Sequence, residues 1–130
     1  MRELLLDYIK ALKLKQYQVT NEYPFSNSGT ALYLKNPKKI YVDNPQQQVE
    51  IFASVFSGAI DNEVYTVRVY FVNDAKQLPT EYAELVDSLK TAKDVLEIDP
   101  SFFRRTCSIT TEYENDLLIT TVEYQFTKLA

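Results

Sequence analysis

Between positions 65 and 71 the chain alternates with a period of two. Tyr65, Val67, Val69 and Phe71 fall on one side, with Thr66, Arg68 and Tyr70 on the other. Successive side chains of an extended strand point to opposite faces, so this pattern commits the segment to a sheet with one face turned into a core. The segment before it, about 48–57, sets Val49, Ile51, Ala53 and Val55 on one face. With 58–62 as the turn, the two segments make a long antiparallel hairpin. Segments 105–114 and 117–127 repeat the arrangement across Asn115 and Asp116. In the last of them Leu118, Val122, Tyr124 and Phe126 oppose Thr121, Glu123 and Gln125.

Two stretches carry a helical period instead. In 2–14, Leu5, Ile9 and Leu12 form one stripe with Leu4 and Tyr8 alongside, and Lys10, Lys13 and Lys15 lie towards the end that the helix dipole leaves negative. In 80–92, after Pro79, the stripe is Tyr82, Leu85, Val86 and Leu89, with Glu81 and Glu84 at the start and Lys90 and Lys93 at the end. Residues 17–20 read as a short strand, and the turn formers of 21–29 as a loop in which Gly29 takes a positive φ. Segments 30–34 and 40–43 read as two short strands, and 94–101 as a connection. The expected architecture is one α+β domain, 1–130, with a mostly antiparallel β-sheet and two helices packed on one face. Val67, Val69, Leu85, Leu89, Val122 and Tyr124 are its expected core.

The 130 residues include no histidine, no tryptophan, one cysteine and two glycines. Histidine acid–base chemistry, histidine metal sites and glycine-rich phosphate loops are thereby excluded. Cys107, between Thr106 and Ser108, has no partner for a disulfide and no histidine to activate it, so it reads as a buried structural thiol. The carboxylates Asp94, Glu97 and Asp99, and Glu112, Glu114 and Asp116, match no calcium-loop spacing and read as solvated turns. No enzymatic activity, cofactor or metal is expected. A net charge of −4 opposes a nucleic-acid-coating role. No apolar run approaches the roughly 20 residues that span a bilayer. Arg2, Glu3 and Asp7 interrupt any signal-peptide pattern, so synthesis in the cytoplasm is expected.

Two groups remain as candidate contacts. Lys35, Lys38 and Lys39, flanked by Tyr33 and Tyr41 on a hairpin tip or exposed connection around Pro37, make a basic and aromatic tip, either docking an acidic partner or phosphate or simply discouraging edge pairing. The second group lies on the sheet face opposite the core. Phe52 and Phe56 share the parity of Glu50 and Ser54, so their strand is apolar on both faces and needs a cover on both. A helix, the loop holding Pro24 and Phe25, or a neighbouring subunit would supply it. Arg68 and Tyr70 project from the next strand onto the same face.

The opening helix Arg2-Glu3-Leu4-Leu5-Leu6-Asp7-Tyr8-Ile9 is the first part of a wider pattern. Val67-Arg68-Val69-Tyr70-Phe71-Val72 follows, before a helix with Leu85 and Leu89. The closing strand is Thr121-Val122-Glu123-Tyr124-Gln125-Phe126. Together this layout resembles the tail terminator (tail-completion) proteins of long-tailed bacteriophages. The resemblance spans most of the chain and carries no catalytic motif. It implies a virion subunit forming a homo-oligomeric, hexameric ring at the head–tail neck, against tail tube and neck proteins. DNA would pass through the lumen without specific binding, and no membrane would be involved. Competing readings are another neck or tail subunit, such as a tube or stopper protein, and a small acidic inhibitor or immunity-type binder.

Overall fold

The computed structural model describes the backbone of residues 1–54 and 58–129, and their side chains except those of 49–61 and 129. Helix α1 is Arg2–Ala11 and α2 is Tyr82–Val95. The strands are β1 Gln18–Val19, β2 Lys39–Val42, β3 Gln46–Ser54, β4 Gly58–Asp74, β5 Phe102–Glu114 and β6 Leu117–Leu129. Among the described residues they form one six-stranded sheet in the order β1-β2-β4-β6-β5, with β3 continuing β2 along the same side of β4. Among the described pairs β1 and β2 run parallel and the others antiparallel. The α+β architecture read from the sequence is the one found.

Both helices lie on one face. Leu5, Leu6 and Ile9 of α1 and Leu85, Leu89 and Ala92 of α2 are buried against Val67, Val69 and Phe71 of β4 and Val122, Tyr124 and Phe126 of β6. All six expected core residues meet there. The Tyr124 hydroxyl, at the centre of that core, donates to the backbone oxygen of Leu89, tying the sheet to the middle of α2. The Tyr8 hydroxyl on α1 donates to the Ser88 oxygen at 2.8 Å, so the helices are laced to each other as well.

The ends of the elements depart from the expected ones where the backbone finds other partners. Helix α1 stops at Ala11 rather than 14, because Lys13 turns into the left-handed region at φ 51. Helix α2 starts at Tyr82 and runs on to Val95. Just before it, Gln16 and Glu81 cap one another's chain. The Gln16 Oε1 accepts from the Glu81 N–H at 2.9 Å, and the Glu81 carboxylate accepts from the backbone N–H groups of Lys15 and Gln16.

Two expected elements are replaced. Residues 30–34 do not form a strand; Leu32–Lys35 is a 3₁₀ turn, held where Asn36 Nδ2 donates to the Leu32 oxygen at 3.1 Å. The expected turn at 58–62 is extended instead, with Gly58 opposite Ser54 and Asn62 opposite Glu50. Its Gly, Asp and Asn have turn propensity, but a paired neighbouring strand overrides so weak a preference. The β5–β6 turn is as expected: Asn115 and Asp116, with φ 49 and 64, form the two-residue left-handed loop that matches the twist of paired strands. Gly29 has its expected positive φ, at 85°.

Leu89 has no exposed surface, so truncating Leu89→Ala leaves a cavity between α2 and the sheet. A loss of about 2–5 kcal/mol in urea unfolding is the expected cost, and an unchanged midpoint would place the helix stripe elsewhere. The alkaline limb offers a second check. Burial pushes the Tyr17 phenol up to about 12, against a smaller opposing effect of its hydrogen bond to Asn73. The folded state therefore favours the neutral phenol. Its contribution is complete below the unfolded value near pH 10 and is lost as pH rises towards 12. Between those limits the native protein should lose on the order of 2 kcal/mol more stability than Tyr17→Phe. Parallel stability curves for the two proteins would refute the assignment.

Candidate interaction surface

Opposite the helices, the outer face of the sheet is apolar near β2 and polar towards β5. On β4 the side chains Val64, Tyr70 and Val72 are buried and Arg68 is half-buried. Register carries this face across the sheet: Arg68 stands opposite Glu123, and Glu123 opposite Ser108. Tyr70 likewise stands opposite Thr121, and Thr121 opposite Thr110. Every outward residue of β5 from Arg104 to Glu114 is exposed.

A loop folds over the apolar side. Tyr33 stacks on Tyr70 with ring centroids 4.7 Å apart, and Phe25 meets both rings edge-on at 5.7 and 5.4 Å. Edge-on and offset-stacked rings are the favoured aromatic geometries, so the three form a stable lid. The loop keeps its shape through its own bonds. The Ser26 N–H donates to the Thr30 oxygen and the Leu32 N–H to the Pro24 oxygen, at 2.9 and 2.7 Å. Tyr70 retains 8% of its surface, and burial raises its phenol pKa.

Arg68 lies beside this lid. Its Nε donates to Glu123 Oε2 at 2.9 Å, and both side chains keep about a third of their surface. A pair this exposed contributes little to stability, roughly 0–1 kcal/mol, and remains able to meet a partner. The structure therefore brings Arg68 and Tyr70 together as neighbours, with Tyr70 covered by its own chain. Phe52 lies on β3 with its backbone opposite Ile60, while its side chain and all of Phe56 lie outside the described residues.

The three lysines lie on an exposed connection rather than a hairpin tip, since a 3₁₀ turn and not a strand leads directly into them. Lys35 ends the 3₁₀ turn, Lys38 sits at a positive φ of 68°, and Lys39 opens β2. The Lys38 backbone joins strands: its N–H donates to the Val72 oxygen at 2.7 Å and its oxygen accepts from the Gln18 N–H at 3.0 Å. The side chains of Lys35 and Lys38 are exposed and that of Lys39 is half-buried.

Arg2, which the sequence pattern marks only as an interruption of apolar residues, is the buried cation of the fold. Its Nε donates to the Val42 oxygen at 2.8 Å and its Nη2 to the oxygens of Asn21 and Glu22, with the guanidinium 4.3 Å from the Tyr23 ring centre. It anchors the start of α1 to β2 and to the loop that leads to the aromatic lid. A second grouping lies on the helix side, where Lys128 reaches Glu63 at 3.5 Å and faces the rings of Tyr65 and Phe102. A cavity of about 300 Å³ opens beside the Gln16–Thr80 junction, where Lys38 and Asp74 also line it.

Among the described residues no group of three or more His, Cys, Asp or Glu is placed to hold a metal ion, and no helix is long and apolar enough to cross a membrane. Asp99 accepts from the Ser101 N–H at 2.9 Å, which holds its carboxyl below the usual value. Cys107 is half-buried rather than fully buried, because β5 is the last strand of the sheet and α2 covers only part of its inner side. Burial pushes its thiol pKa up, partly offset by Lys93 and Lys90.

No protein-family model matches the sequence, and no curated protein matches it. Among solved structures, the chain is similar to one from the virion of a native gene transfer agent particle. Identity is 16%, the match covers 94% of this chain and 84% of that one, and the TM-score is 0.37.

The raised thiol pKa has a measurable consequence. Since the thiolate is the reacting form, Cys107 of the native protein should alkylate more slowly at pH 8 than in the denatured chain. Its rate should keep rising into a more alkaline range than that of the denatured thiol, which levels off first. Equal rates at pH 8 would show that the partial cover provides no protection.

Proposed function

We propose that the protein is a non-enzymatic structural subunit of a virion, a tail terminator that closes into a hexameric ring at the phage head–tail neck. The observation that carries the reading is the far end of the β3–β4 hairpin. Pairing with β6 begins at Asn62, so among the described residues 58–61 pair with β3 alone. An isolated two-stranded ribbon is marginal in water and gains stability when a third surface packs on it. A neighbouring copy is such a surface, and Phe52 lies on this ribbon.

The reading is supported also by the sequence layout that resembles tail terminators and by the α+β architecture that the resemblance implies. Phe52, Phe56 and Arg68 are the proposed intersubunit contacts, with Tyr70 behind them as part of the lid. Lys35, Lys38 and Lys39 are proposed contacts to tail tube or neck proteins. An overall charge of −4 suits a lumen that passes DNA without gripping it.

Replacing Phe52 and Phe56 together by Ser tests the reading. Each buried ring contributes about 1.5–3 kcal/mol, enough in six repeated contacts to abolish the ring. The expected product is a folded protein no larger than a dimer by light scattering, with native circular dichroism and no rings in negative-stain micrographs with tail tubes. Normal rings, or an unfolded chain, would assign those aromatics to the subunit's own core. A wild-type protein that stays monomeric with tail tubes present would favour the small acidic binder instead.

A further inference from the structure

We infer that β5 is a self-complementary edge, through which two copies of the chain pair antiparallel about a twofold axis near Ser108. This goes beyond the ring reading and is independent of it, since β5 lies at the sheet edge opposite the β3–β4 hairpin.

An exposed strand edge presents a row of unpaired N–H and C=O groups, and sheets ordinarily blunt it by shortness, proline, lysine or a bulge. β5 is 13 residues long and contains no proline or lysine. Its one irregularity lies at the extreme start, between Phe102 and Arg104. Along its centre, Thr106, Cys107, Ser108, Ile109, Thr110 and Thr111 carry no charge, and four of the six are β-branched. Such a segment favours a further strand.

Charge identifies the occupant and its direction. The outward row of β5 reads Arg104, Thr106, Ser108, Thr110, Glu112, Glu114, basic at one end and acidic at the other. A second copy laid antiparallel about Ser108 sets Arg104 opposite the partner's Glu112 and Thr106 opposite the partner's Thr110, twice over by symmetry. Opposite charges and Thr–Thr pairs directly across strands are both stabilising. A parallel, in-register copy would instead set Arg104 on Arg104 and Glu112 on Glu112. Among the described ion pairs of the chain, neither residue takes part, so both remain available. Arg105 is not: its guanidinium donates to the oxygens of Lys93 and Leu96 at 3.2 and 3.3 Å.

The aromatics agree with this arrangement. Phe103 and Tyr113 are 58% and 76% exposed, the two most exposed large apolar side chains among the described residues, and they stand at opposite ends of β5. The twofold brings Phe103 of one copy to the end that carries the partner's Tyr113. On the inner side it sets Cys107 opposite the partner's Ile109. An isologous contact of this kind closes on itself and yields a dimer rather than a fibre.

A charge swap tests the pairing. Sedimentation velocity of the full chain from 5 to 200 μM should show a concentration-dependent monomer–dimer equilibrium. Arg104→Glu and Glu112→Arg, each placing like charges opposite twice, should weaken the dimer about tenfold. The double variant, which restores both pairs in reverse, should return Kd to within about threefold of the wild type. In a Cys107→Ser background, Ser108→Cys should yield a disulfide-linked dimer under mild oxidation, because the twofold places the two thiols face to face. A wild-type chain that stays monomeric at 200 μM would overturn the proposal. So would single variants with unchanged Kd, a double variant that does not recover, or an absence of the cross-link.

Discussion

Everything else in this molecule depends on β4 being paired along both edges and covered on both faces. β6 holds one edge from Asn62 to Asp74, while β2 and β3 share the other. Its inward residues Val67, Val69 and Phe71 have no exposed surface beneath the helices. Its outward residues Val64, Tyr70 and Val72 are buried as well. Only Arg68 and its neighbours keep part of their surface on the outward side, so two separate layers must be recruited to serve the strand.

The helices supply one layer in the ordinary way, through apolar stripes. The other is built from a loop, which has little apolar area of its own and must be held in place. Arg2 provides part of that hold, reaching from α1 to the oxygens of Asn21, Glu22 and Val42. Burying a cation is costly unless its hydrogen bonds are met, and here three backbone oxygens and the Tyr23 ring meet them. The same residue thus serves the helix layer and the loop layer. On the other side of the helices, Gln16 and Glu81 exchange caps and set where α2 begins.

This construction leaves two open features, at opposite edges of one sheet. The β3–β4 ribbon extends past the last residue of β6, and among the described strands β5 pairs with β6 alone. Between them lie the Arg68–Glu123 pair and a face of threonines and serines. The proposed ring uses the ribbon, and the proposed dimer uses the opposite edge.

The amino-acid pattern by itself determined the helices, the long strands, the Asn115–Asp116 turn and the helix-covered core, because period and burial are local consequences of which residues recur at 2 or 3.6 positions. Leu85, Leu89, Val67, Val69, Val122 and Tyr124 are legible for that reason. Arg68 and Tyr70 could be assigned to the outer face by parity alone. The loop holding Pro24 and Phe25 was one of the candidate covers, but choosing it over a helix or a neighbouring subunit took the tertiary structure. The Phe25–Tyr33–Tyr70 lid reaches residues more than 30 positions apart through a 3₁₀ turn that has no periodic signal. The extended course of 58–62 was decided by pairing with β3, against the turn propensity of Gly58, Asp61 and Asn62. The burial of Arg2 was equally a tertiary decision: a charged residue near a helix start reads as solvated until distant backbone oxygens converge on it. Period reveals which face is buried, whereas only the assembled chain decides what lies against that face.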